Sequence, residues 1–118
     1  VYVNEKQRNA LWIGDFPIPW RLAIYAGAIY HHRKLGPFVM ELLEAGRSVW
    51  SPQARRPPLA NLPRDVFSIR NVPYAYRLAL RQEAVKQNML FRDYLLVLLW
   101  YGMKARKISI PVLSTPAP

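Results

Sequence analysis

Proline decides where this chain can be helical. Of its 11 prolines, Pro52, Pro57, Pro58, Pro63 and Pro73 crowd one passage, "SPQARRPPLANLPRDVFSIRNVP", and none follows until Pro111. Each proline removes a backbone donor and pushes the preceding residue away from helix. Residues 51–73 therefore read as a proline-rich extended arm, carrying Arg55, Arg56, Arg64 and Arg70. From Tyr74 to Lys107 there is no proline and one glycine, Gly102. That spacing predicts a single long helix over 74–107, about 50 Å in length.

Proline also punctuates the first half. Residues 1–15 are polar with a short apolar patch, and "FPIPW" follows. Pro17 and Pro19 enforce an extended approach, and Pro19 suits the first turn of a helix. A helix is expected over 20–33, inside an N-terminal extension of 1–36. Pro37 opens an amphipathic helix over 37–50, with Phe38, Leu42, Ala45 and Val49 on one face. The tail 108–118 is neutral and extended. The fold class expected is all-α and elongated. Two short N-terminal helices and the arm precede one long C-terminal helix that enters or spans a membrane.

At 118 residues the chain has room for one small domain. It is 52% apolar, with a net charge of +10. A charge of that sign fits nucleic acid, an anionic lipid surface or an acidic protein neighbour. The absence of cysteine excludes disulfide scaffolds, thiolate metal sites and cysteine nucleophiles. The first residue is Val1, without a signal sequence, as expected of a chain from which an organellar presequence has been removed.

The stretch "EAVKQNMLFRDYLLVLLWYGMKARK", Glu83 to Lys107, carries most of the information. Ala84, Phe91, Leu95, Leu98, Gly102 and Ala105 recur at heptad-like steps, a seam for another helix. Two readings fit: the buried central helix of a bundle, or a membrane segment. The second takes Gln87–Ala105, about 28 Å by the helix rise, and places Arg92 and Asp93 inside the span. Charges there face protein and find a partner. Trp100 and Tyr101, with Lys104, Arg106 and Lys107, would anchor the span at an interface.

This stretch resembles the C-terminal membrane helix of subunit g of the mitochondrial ATP synthase. The matching positions are Glu83-Ala84-Val85, Asp93 ten places later, Trp100-Tyr101, and Arg106-Lys107. With the amphipathic helix and "RRPPLANLP" upstream, the likeness covers roughly residues 37–107. The family's pair of small residues falls here on Tyr101 and Ala105, with Gly102 one place late. The resemblance implies a non-catalytic subunit without cofactor in the mitochondrial inner membrane, which supports complex assembly, dimerisation and membrane curvature. It implies a subunit-e-like partner helix against the seam, anionic lipid around it, and Asp93 as the buried polar contact.

Catalysis finds little support. His31 and His32 are adjacent and point about 100° apart on a helix, unlike an i, i+4 metal pair. Glu41 and Glu44 share a face but lack a matched His or Asp, and read as a solvated edge. No phosphate-binding glycine loop or zinc spacing occurs. The rival reading is nucleic-acid binding: arginines among prolines and aromatics, as in "SVWSPQARRPP", suit a mitochondrial ribosomal protein that binds rRNA. An accessory subunit of another respiratory-chain complex is the remaining alternative.

Overall fold

Near the start of the chain the apolar residues alternate, then slip by one. Leu11 and Ile13 share a face; the next large apolar residue is Phe16, not residue 15. The computed structural model, which describes residues 10–59 and 62–109, answers this with a bulge. Strand β1, Ala10–Pro17, pairs antiparallel with β2, Arg64–Arg70. Ile13 stands opposite Phe67, but Phe16 stands opposite Asp65, so Gly14 and Asp15 together oppose Val66. Asp15 takes the left-handed conformation (φ 48°), which aspartate tolerates better than most residues. The extra residue turns Phe16 back to the inner side with Leu11 and Ile13, and leaves Asp15 outside.

Between the strands lie α1, Ile18–Tyr30, and α2, Leu35–Val49; after β2 come α3, Tyr74–Lys86, and α4, Phe91–Ala105. Pro19 sits in the first turn of α1, where its missing N–H costs nothing. Trp20, Ala23, Ile24 and Ala28 turn one stripe of α1 inward; Phe38, Val39, Leu42 and Leu43 do so for α2. One core holds these with Leu11, Ile13 and Phe16 of β1, Phe67 and Ile69 of β2, Leu80 of α3, and α4. The Phe16 ring lies 4.7 Å from that of Phe67 and edge-on to Trp20 at 6.1 Å. Arg77 is buried and donates from Nε to the Val72 carbonyl (3.2 Å), tying α3 to the end of β2.

Helix α4 is buried on every side from Tyr94 to Leu99, as expected of a helix apolar all round. Its closest neighbour is α2, which runs antiparallel to it. Gly46 lies against the Leu98 carbonyl and Gly102 against the Leu42 carbonyl, so each helix offers one glycine to the backbone of the other. Neither glycine has a positive φ; what both positions require is the absence of a Cβ.

The structure corrects the all-α, elongated arrangement. It is a mixed fold with a two-stranded sheet, its helices gathered round a single core. The long helix over 74–107 is two helices. Helix α3 ends at Gln87, with Asn88 left-handed (φ 56°). Asn88 N–H reaches the Val85 carbonyl (3.0 Å) and Met89 N–H the Ala84 carbonyl (2.9 Å), which closes the helix end in a Schellman motif. The same closure ends α1 at His32 and α4 at Lys107. Helix α4 has 15 residues, fewer than the roughly 20 a span needs. No helix among the described residues is long and apolar enough to cross a membrane. The parts of the N-terminal extension and tail at 1–9 and 110–118, and of the arm at 60–61, lie outside the described residues. Within 51–73 the arm gives way to β2 at Arg64.

Candidate nucleic-acid interface

The 51–59 segment does not project; it lies along α4. Helix α2 closes with Trp50 in extended conformation, its N–H on the Gly46 carbonyl (2.8 Å). The Trp50 ring meets Tyr94 of α4 edge-on at 5.5 Å. A turn follows, Ala54 N–H to the Ser51 carbonyl (2.9 Å). About two turns further down α4 than Trp50's contact, the Tyr101 hydroxyl donates to the Arg55 carbonyl. Pro57 is buried, and Arg64 donates to the Leu59 carbonyl (2.9 Å) where the chain turns toward β2. The segment is thus fixed at both ends, with prolines limiting the backbone between.

This docking leaves a pocket of about 360 Å³ lined by Arg55, Arg56, Pro58, Trp100, Tyr101 and Lys104. Three cations and two aromatic rings face it, and no carboxylate does. Trp100 stacks on Trp20 at 5.4 Å and 23°. The Lys104 ammonium stands 5.1 Å from the Trp100 ring centre, a cation–π contact. A second cleft of about 270 Å³ shares Arg56 with it and is lined by Trp50, Pro52, Gln87, Asn88 and Val97 among others.

Ion pairing explains why this wall stays positive. Every described carboxylate already has an arginine: Asp15 and Asp93 hold Arg92 (3.0 and 3.3 Å), Asp65 holds Arg21 (3.5 Å), and Glu44 and Glu83 hold Arg47 (2.7 and 2.6 Å). Glu41 stands between Arg33 (3.1 Å) and Arg106 (3.4 Å). Its Oε2 is buried, and Arg33, though near, is out of line for a hydrogen bond. Among the described residues, Arg55, Arg56 and Lys104 have no carboxylate within 4 Å. Exposed pairs of this kind add little stability. Their consequence is electrostatic: each described acid is already matched by an arginine of the chain, and Arg55, Arg56 and Lys104 stay uncompensated.

The Glu44–Arg47–Glu83 cluster also joins three helices. Tyr76 of α3 donates to Glu44 Oε1 (2.7 Å) and Tyr94 of α4 to Glu83 Oε1 (2.8 Å). Burial, then the hydrogen bond to Glu83, pushes the Tyr94 phenol up to about 12. Burial and the bond to Glu44 push Tyr76 upward too. Burial works against the Arg47 cation, but Glu44 and Glu83 outweigh it and hold its proton more tightly than usual.

The expected partner seam lies elsewhere than on a free surface. Ala84, Leu95, Leu98 and Gly102 are buried in the chain's own core, the last two against α2. Phe91 is half-buried beneath the Arg81 guanidinium (4.3 Å), and Ala105 is exposed. Asp93 is half-buried and accepts from its neighbour Arg92 (3.3 Å). Of the expected interface anchors, Trp100, Tyr101 and Lys104 line the pocket; Arg106 pairs with Glu41; Lys107 supplies the left-handed end of α4. His31 and His32 close α1. No group of three or more metal-ligating side chains occurs among the described residues. Arg55 and Arg56 are the residues that the membrane-anchor set lacked. Their place among arginines, prolines and aromatics was visible, but not their meeting with Trp100.

Compared with protein-family models, curated proteins and solved structures, the chain finds no match in any of the three.

Proposed function

We propose that this chain is a non-catalytic RNA-binding protein of a large RNA–protein particle, an organellar ribosome being the assembly in view. The observation that carries the reading is the pocket of Arg55, Arg56 and Lys104 set against Trp100 and Tyr101 with no carboxylate. Arginine and lysine neutralise phosphate, and aromatic rings take bases. The likeness to subunit g rests on short motifs, Glu83-Ala84-Val85, Asp93, Trp100-Tyr101 and Arg106-Lys107, and on the layout upstream, and it implies a membrane helix over 87–105. With α3 and α4 separated at Asn88, the RNA reading is the better supported.

The test is binding of the full chain to a labelled single-stranded RNA across a series of salt concentrations. Each phosphate contact contributes a slope of about −0.7 in log affinity against log salt, so three pocket cations predict a slope of about −2 or steeper. Sedimentation with phosphatidylserine vesicles runs beside it. Vesicle binding without RNA binding, or RNA binding indifferent to salt, overturns the proposal.

A further inference from the structure

We infer that the pocket between the 51–59 segment and the end of α4 receives one unpaired nucleotide, its base laid on the Tyr101 ring and its phosphates held by Arg55, Arg56 and Lys104. The inference rests on the RNA reading above and narrows it from a charged surface to a base-accepting site.

The residues divide the ligand's chemistry between them. The cations supply what a phosphate needs, but a wall of cations alone would serve a duplex equally well. A duplex offers its backbone and the edges of its bases; only a base out of its stack can use the flat side of a ring. Trp100 and Tyr101 are ring surface in the same wall as the three cations. Tyr101 is the better platform. Trp20 already stacks on Trp100 and the Lys104 ammonium stands over it, whereas Tyr101 is half-buried with its hydroxyl engaged by the Arg55 carbonyl.

That bond does two things. It satisfies the only polar atom of the ring, so the ring can be covered without stranding a donor. It also fixes Arg55 relative to the ring, so cation and platform are set before the ligand arrives, which lowers the ordering cost of binding. Lys104 is held more loosely, since an exposed cation–π contact is weak. A phosphate at the mouth of the pocket draws it off Trp100 easily. The volume, about 360 Å³, is in the range of small-ligand sites.

The experiment compares a single-stranded oligoadenylate of about ten nucleotides with an RNA duplex of the same length, on the full chain. Tyr101→Ala is expected to weaken the single strand roughly tenfold, the size of one lost base stack, and the duplex much less, since the duplex loses only the anchoring of Arg55. Arg56→Gln and Lys104→Gln are expected to weaken both. As a check that needs no variant, oligoadenylate is expected to quench the tryptophan emission of the intact chain more than the duplex does, since Trp100 lines the pocket. If Tyr101→Ala folds and binds both RNAs like the parent, or weakens both alike, the base site is wrong while RNA binding stands. If the parent binds neither RNA, both readings fall.

Discussion

Gly46 of α2 lies directly against the Leu98 carbonyl of α4, and the relation is mirrored by Gly102 against the Leu42 carbonyl. Because the obstacle is backbone on both sides, an added methyl cannot be absorbed by a rotamer change. Gly46→Ala is expected to cost at least about 3 kcal/mol, the upper end of ordinary overpacking. Urea unfolding measures it. Gly102→Ala is expected to match it, and the double variant to lose less than the sum, since both disturb one helix pair.

The bulge in β1 sets which residues face the core. Deleting Gly14 leaves Asp15 alone opposite Val66, so strict alternation holds and Phe16 keeps its inward place opposite Asp65. Phe16 is almost fully buried, 1% exposed. The deletion is therefore expected to be tolerated, with an unfolding midpoint close to the parent's, whereas Phe16→Ala is expected to cost about 3 kcal/mol or more, as for loss of a buried aromatic ring, with a lowered melting temperature. Trp12→Thr, on the exposed side of the same strand, is expected to change stability by under about 0.5 kcal/mol.

Lys107 holds a left-handed conformation (φ 57°) at the end of α4. A side chain in that region costs roughly 1–2 kcal/mol, and glycine avoids it. Lys107→Gly is therefore expected to stabilise the fold, by up to about 1 kcal/mol in urea unfolding. Asn88→Gly should gain less, because asparagine already tolerates the region.

Stability is expected to fall in alkali. The Tyr94 phenol titrates near 12 in the folded chain against an ordinary value of 10. Below pH 10 both states keep the proton, and the contribution is fully present. Above 10 the unfolded chain releases its proton first, so stability declines until about 12. In Tyr94→Phe this part of the decline disappears. The variant also leaves Glu83 Oε1 without its phenol donor, at a cost of about 1 kcal/mol. Unfolding midpoints measured from pH 8 to 12 read out both effects.

Where proline and periodicity act locally, the fold was legible. The segments opened by Pro19 and Pro37 are helical, and Phe38 and Leu42 do face the core, though Val49 of the same expected face is exposed at the helix end. The break at Asn88 was not, because asparagine is a weaker stop signal than glycine or proline and the helical pattern resumes at once. The strands hid in segments read for their prolines and charges, although Phe67 and Ile69 alternate with Val66, Ser68 and Arg70 as a half-buried strand should. The pocket was half legible. Arg55–Arg56 and Trp100–Tyr101–Lys104 each stood out in the sequence. Their meeting depends on a long-range fold-back of the arm, which no local pattern encodes.

Strand β1 finds its hydrogen-bonding partner only after both α1 and α2 have gone by, since β2 begins at Arg64. On a chain emerging from the ribosome at about 5–20 residues per second, the hydrogen-bonding edge of β1 therefore waits seconds for its partner. Pairings between such distant segments are slow to close in any case. The sheet acts as a late clasp, and the newborn chain carries an open, sticky edge until it shuts. Recruiting a chaperone, or the anionic surface the protein is proposed to bind, during that interval would change yield more than it changes the finished fold.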